Sequence, residues 1–269
     1  MRFGPLTFLR VEAAGRALGQ SLIMPSPYDV IAGLYHLQWD NWYVPQGMPA
    51  LESLFFPHVR PGARLLDVCC GSGHVTRELA ARGYRVTGID NSPGLLELAR
   101  RDVPLANFVQ TDVRNFRLTE KFDGALSTFD SMNHLLTPDD LAAAFASVYA
   151  ALEPGARFVF DMNTVEAYSM DWAQWSAHVS DESVSLVKGR FDPTTSCAET
   201  EVIWFVKAEN GMWQRQRTVV PQRCYQEGEV RQVLEEAGFA TVSCTTALQA
   251  GVTGEIGFGR VFYSAVKAS

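Results

Sequence analysis

The sequence predicts an α/β protein, a doubly wound parallel sheet that carries an antiparallel β insertion as a cap. Three observations predict it. Between residues 64 and 162, short apolar runs alternate with amphipathic ones through short links; a turn with two glycines follows the first apolar run; and after Asn163 the alternation gives way to three long strand-like stretches. The chain has 269 residues, 47% of them apolar, which is enough to bury a large core.

Residues 1–27 read as an N-terminal extension. They hold no apolar stretch long enough to cross a membrane, and Arg10, Glu12 and Arg16 interrupt any signal-peptide core. A second methionine, Met24, stands just before "PSPYDVIAGLYHLQWDNW", so an upstream start would account for the leading residues. Removing residues 1–23 is therefore expected to leave the melting temperature and ligand affinity nearly unchanged, and a large loss of either in calorimetry would show that the extension belongs to the fold.

The next unit is expected over residues 28–163. Strand "RLLDVC", helix "HVTRELAARG", strand "YRVTGID", helix "PGLLELARRD" and strand "ANFVQTD" follow one another, then strand "FDGALSTF", helix "DDLAAAFASVYAAL" closed by Pro154 and Gly155, and strand "ARFVFDM". Repeated strand and helix with short links imply a parallel sheet covered on both faces. Leu95, Leu96 and Ala99 in one helix, and Leu141, Ala144, Phe145 and Val148 in another, recur at three- and four-residue spacing. Residues 164–225 form the insertion, with turns at Asp192-Pro193 and Asn210-Gly211. Residues 226–269 return to the core through helix "EGEVRQVLEEAGF" and strands "ATVSCTTAL" and "GRVFYSAVKA".

A formal net charge of -7 and a pI near 5.3 argue against a nucleic-acid binder, which would concentrate Lys and Arg. A small molecule is the expected partner. Five cysteines without a CxxC pair point to a reducing cytoplasm, and five scattered histidines offer no ligand spacing for a metal.

In such sheets ligands bind beyond the carboxyl ends of the strands, usually at the first strand-to-helix turn. Gly71 and Gly73 fall there, and without a Cβ they permit close approach of a ligand to backbone N–H groups. Asp90 ends the second strand, 19 residues after Gly71, where its carboxylate can accept two hydrogen bonds from ribose hydroxyls. Asp112 ends the third, placed to meet an adenine edge or to cap a helix. Asp67, within the first strand, could orient the turn or hold a ligand ammonium through water. An NAD(P) oxidoreductase is the alternative. Against it stand the missing third glycine, with Val75 and Thr76 in its place, the position of Asp67 and the antiparallel ending.

With these motifs the chain resembles the class I S-adenosylmethionine-dependent methyltransferases of small-molecule type. "LLDVCCGSGHVT" matches the glycine motif, "VTGIDNSPGLLELAR" the ribose-binding strand, "VQTDVRNF" the adenine-side acid and "FDGALSTFDSMNHL" the fourth strand. The resemblance implies a Rossmann-like seven-stranded sheet with an antiparallel final strand. It implies that S-adenosyl-L-methionine is the cofactor, with Gly71 behind its methionine portion, Asp90 on the ribose, Asn91 near the adenine and Asp112 and Val113 at the adenine edge. Thr128 would offer backbone to the ligand's amino group. Tyr28 and Tyr35 match aromatic positions of an N-terminal cover, or are a helix face packed on the core. A non-catalytic S-adenosylmethionine-binding module is a further alternative.

Sulfonium methyl transfer needs alignment and removal of one proton from the acceptor. His134 follows the fourth strand at the expected mouth of the site, and is the candidate base or else a loop histidine without a catalytic role. Asp161 and Asn163 are weaker candidates for holding a nitrogen or oxygen acceptor. The insertion should cover that acceptor. Its aromatic residues, Trp172, Trp175, Phe191, Trp204, Phe205 and Trp213, would equally suit packing on the core or on a second subunit, which leaves a homo-oligomer open.

Overall fold

Leu65, Leu66 and Val68 lie buried on both faces of β1 (Arg64–Val68), as a central parallel strand requires. Around it build β2 (Arg85–Asp90), β3 (Asn107–Gln110), β4 (Phe122–Ser127), β5 (Leu152–Asn163), β10 (Phe239–Thr246) and β11 (Arg260–Lys267). The strand order is β10-β11-β5-β4-β1-β2-β3, and only β11 runs against its neighbours. The chain leaves β1 toward β2 on one side and returns to β4 on the other, so the crevice between β1 and β4 is the switch point where such sheets bind ligands. The structure is a computed structural model that describes residues 26–169, 173–208 and 210–268. Nearly all of the expected extension and Trp172 lie outside the described residues. Among the described residues no helix is long and apolar enough to cross a membrane.

The helices follow their sequence signals. Helix α3 (His74–Ala81) starts at Gly73; α4 (Pro93–Asp102) has Pro93 at its first position and Ser92 as N-cap, whose hydroxyl accepts from the Leu95 N–H at 3.1 Å. Thr137 caps α5 (Pro138–Ala151) in the same way. The periodic residues of α4 and α5 are buried against the sheet. Helix α7 (Glu227–Glu236) completes that layer through Val230 and Leu234.

Two boundaries differ from expectation. Pro154 and Gly155 do not separate helix from strand, because Leu152 is already paired with Phe122 and buried; β5 starts there, and Gly155 at φ +77° takes up the register shift. The third strand stops at Gln110, so Asp112 sits in the turn beyond it.

A second sheet, in order β6-β7-β8-β9, joins β6 (Ser176–Val179), β7 (Ser183–Asp192), β8 (Cys197–Lys207) and β9 (Trp213–Arg223) in antiparallel pairs. Strand β6 is exposed throughout and offers no apolar alternation to read; the short helix α6 (Val165–Ser169) precedes it. Between the sheets runs the N-terminal segment: a 3₁₀ turn over Pro27–Ile31, the short α1 (Ala32–Leu34), a π-helical stretch over Tyr35–Trp39 and α2 (Asp40–Leu54). Ile31 and Leu34 form one apolar cluster with Val202, Trp204 and Val220 of the second sheet. Trp204 closes so tightly that a Cβ on Gly33 would lie 2.9 Å from its ring. The insertion's aromatic residues thus divide. Trp204 packs on the N-terminal segment and Phe191 stacks on Tyr168 at 5.4 Å, whereas Trp175 and Trp213 stay about half exposed.

Candidate active site

The turn after β1 is held from below and beside. Asp67 is buried and accepts from the Thr76 hydroxyl at 2.5 Å, tying β1 to the first turn of α3; it does not line the cavity above. Gly73 (φ +82°) packs against Ala99 and Phe108, also away from the cavity. Gly71 (φ +54°) does line it, and a Cβ there would come within 3.1 Å of the Tyr35 ring. The carboxylate of Asp90 accepts from the Gly71 N–H and from the Ser92 N–H, both at 2.9 Å, so one acid fixes the turn and the start of α4. Cys69 takes a left-handed φ of +59° at the cavity wall, while Cys70 packs beneath with Leu96, Ala99 and Phe108.

Above this turn lies a cavity of about 300 Å³. Ile89, Leu95 and Val113 give it apolar sides; Asp90, Asn91 and Asp112 give it polar edges. Asp112 is paired with Arg114 at 2.5 Å, and that guanidinium keeps its carboxyl below the usual range and reaches Asp140 at 2.9 Å. Thr128 lies outside the lining, and its carbonyl accepts from the Ser131 hydroxyl at 2.8 Å. The N-terminal segment roofs the cavity and is pinned along its length. Asp29 accepts from the Ser92 hydroxyl (2.5 Å) and the Gly94 N–H (3.2 Å), and His36 bridges the Ser72 hydroxyl (3.0 Å) and Asp102 (3.1 Å).

A second cavity, of about 730 Å³, opens between the core and the second sheet. Tyr28, Tyr35, Phe129 and His134 line both, so they form the wall where the chambers meet. The His134 Nδ1 faces the Pro221 carbonyl at 3.1 Å; because a carbonyl only accepts, Nδ1 carries the hydrogen and Nε2 keeps its lone pair. Nε2 receives the Tyr28 hydroxyl at 3.0 Å. Burial holds the His134 pKa below 6.5, and the nearby Asp130 opposes that shift only in part, so the ring is neutral at neutral pH.

The floor of the larger chamber is charged. Arg260, from the start of β11, is almost wholly buried; it binds Asp161 through one terminal nitrogen and Asp130 at 2.8 Å through the other. Asp161, expected at the acceptor, is instead fully buried beside Arg260 and lines neither chamber. Asn163 does line the larger one. Burial and the second carboxylate raise the pKa of Asp161, against the pull of Arg260. Phe129 and Asp130 both adopt left-handed backbone, at φ +62° and +49°, which costs a non-glycine residue of order 1–3 kcal/mol. Arg260 offsets it: its guanidinium lies over the Tyr43 and Phe129 rings, which stack on each other at 4.4 Å.

Known proteins share the fold and part of the sequence. Residues 65–155 match the methyltransferase domain family. A protein of Geobacillus sp. (strain WCH70), itself assigned to the methyltransferases by name only, is 29% identical over 77% of this chain and 86% of its own. The dTDP-3-amino-3,4,6-trideoxy-α-D-glucopyranose N,N-dimethyltransferase of Streptomyces venezuelae is 40% identical over 36% of this chain and 41% of its own. The crystal structure of Streptomyces venezuelae DesVI superposes with a TM-score of 0.73 over 91% of this chain and all of that one, at 23% identity. The chain carries a methyltransferase domain and has the fold of the S-adenosylmethionine-dependent methyltransferases. That domain match speaks for the methyltransferase reading over the oxidoreductase alternative.

In this methyltransferase, sequence reasoning does not single out Asp130, Gln222 or Arg260. Gln222 and Arg260 reach the site from β9 and β11, far along the chain from the glycine motif, and no local pattern marks them. The adjacent left-handed pair at the end of β4 carries no glycine that could announce it.

Proposed function

We propose that this methyltransferase transfers a methyl group to a nitrogen of a small polar molecule, with S-adenosylmethionine in the smaller chamber and the acceptor in the larger. The observation that carries this reading is the shared wall of Tyr28, Tyr35, Phe129 and His134. Two amino-sugar N,N-dimethyltransferases among the relatives support nitrogen as the acceptor, beside an O-methyltransferase that matches over a similar share of the chain.

The residues suit the cofactor. Asp90 brings its carboxylate to the smaller chamber, where it suits the two ribose hydroxyls. Ile89, Leu95 and Val113 suit the adenine faces, with Asn91, Asp112 and the Val113 backbone at its edge. Gly71 and Tyr35 suit the methionine portion. When bound, the cofactor supplies an electrophilic methyl carbon on a good leaving group. The protein aligns the acceptor, excludes water beneath the pinned N-terminal segment and takes one proton. That proton passes from the acceptor nitrogen to the Tyr28 oxygen while the phenol hands its own to His134 Nε2.

Asp90→Ala is expected to weaken S-adenosylhomocysteine binding by about 1.5–3 kcal/mol in calorimetry, as for loss of charge-assisted hydrogen bonds. Unchanged affinity would remove the ribose assignment. The whole reading is tested by calorimetry with S-adenosylhomocysteine, NAD and NADP, followed by turnover on a panel of amines and alcohols. Failure to bind S-adenosylhomocysteine sinks it; binding without turnover on any acceptor returns the protein to the class of non-catalytic binders.

A further inference from the structure

Gln222 stands on β9 opposite Ala198 of β8, is 4% exposed, and lines the larger chamber with His134 and Asp130. Its amide is oriented by chemistry. The Nε2 lies 2.6 Å from Asp130 Oδ2, and a carboxylate already facing a guanidinium can only accept, so the amide hydrogens point that way. The same Nε2 is 3.4 Å from His134 Nε2. Turning the amide over would set its oxygen against the Asp130 carboxylate. Oε1 is therefore held on the other side, and among the described residues it is buried with no donor. Gln222 lines the larger chamber, and an unmet carbonyl oxygen on a lining residue is suited to accept an N–H or O–H brought by the ligand.

The charges beside it narrow the choice. Asp130 and Glu255 line the larger chamber with the single guanidinium of Arg260, which Asp161 also shares from beneath, so this wall carries more carboxylate than cation. A carboxylate or phenolate acceptor would be repelled; an ammonium would be drawn in and would offer the missing hydrogens.

We propose that Gln222 selects and orients the acceptor, its Oε1 receiving an N–H of an amine that arrives protonated. The proposal rests on the methyltransferase reading of the two chambers. It assigns the order of events at the nitrogen. One N–H binds Gln222 and stays, and a second proton leaves through Tyr28 to His134. The freed lone pair then forms the new N–C bond as the C–S bond breaks, its electron pair remaining on sulfur. A primary or secondary amine meets both demands. A quaternary ammonium, with the charge but no N–H, does not.

The test uses the full chain saturated with S-adenosylhomocysteine, titrated by NMR with three probes that share a cyclohexyl ring: cyclohexylammonium, N,N,N-trimethylcyclohexylammonium and cyclohexanol. Cyclohexylammonium is expected to bind at least tenfold more tightly than either of the others and to shift the Gln222 side-chain amide. In Gln222→Met, whose side chain has similar length and no amide, the gap between the primary and quaternary probes should fall below about twofold. Gln222→Asn, which retracts the oxygen by one carbon, should show the same collapse and serves if the methionine variant melts early. Equal affinity for the three probes, no response to any of them, or a primary-over-quaternary preference that survives both substitutions overturns the proposal. Calorimetry with S-adenosylhomocysteine on the same samples keeps the outcomes apart. Intact binding with no amine preference sinks the Gln222 role alone, whereas absent binding sinks the methyltransferase reading itself.

Discussion

His134→Ala is expected to lower kcat on the amine acceptor by about 10²- to 10⁴-fold, the usual loss when a general base is removed, with little change in S-adenosylhomocysteine affinity. The ring is held in the orientation a base requires, with Nδ1–H committed to the Pro221 carbonyl and Nε2 joined to the Tyr28 hydroxyl. The pH dependence has a definite sign. Burial lowers the histidine pKa, so the neutral base persists below pH 6.5 and the wild-type rate should fall only as the pH drops further. A histidine without the buried wall would begin to lose its base form nearer pH 6.5. Tyr28→Phe should reproduce part of the loss, since it removes the relay and leaves the imidazole. An alanine variant with full turnover and the same acid limb would end the histidine-base idea and leave the family assignment standing.

Arg260→Met is expected to destabilise the fold by about 3–5 kcal/mol, because it leaves Asp130 and Asp161 buried without their shared cation. The methionine preserves much of the volume beneath Tyr43 and Phe129, so the loss reports charge more than packing. Adding Asp161→Asn removes one uncompensated carboxylate and should recover part of it. Chemical denaturation of the single and double variants measures both. A loss below about 1 kcal/mol in the single variant would show that the carboxylates are not held by Arg260. Even where the variant folds, the left-handed corner at Phe129 and Asp130 loses its anchor, and the acceptor chamber should bind amines less well.

Much of the core is legible because its signals are local. The helices announce themselves through Ser92-Pro93 and Thr137-Pro138 at their starts and through apolar residues at helical spacing. Gly71 and Asp90 can be placed because a turn and a strand end are set by neighbouring residues, and the structure brings them within hydrogen-bond reach. Asp67 shows the limit of that reasoning. The sequence leaves it either to orient the turn or to hold a ligand ammonium, and its hydrogen bond to Thr76 beneath the loop fits the first. Asp161 shows the same limit over a longer distance, since its partner lies 99 residues away.

The sequence by itself determined the sheet's winding, the place of the glycine turn and the presence of an antiparallel insertion, because periodicity, capping and turn chemistry act over a few residues. Only the tertiary structure decided which polar side chains meet across the larger chamber. Tyr28 and His134 are 106 residues apart, His134 and Gln222 are 88 apart, and Asp130 and Arg260 are 130 apart. Their contacts depend on how the second sheet seats on the N-terminal segment and how β11 inserts beside β5, arrangements settled by side-chain packing that no short window of sequence contains.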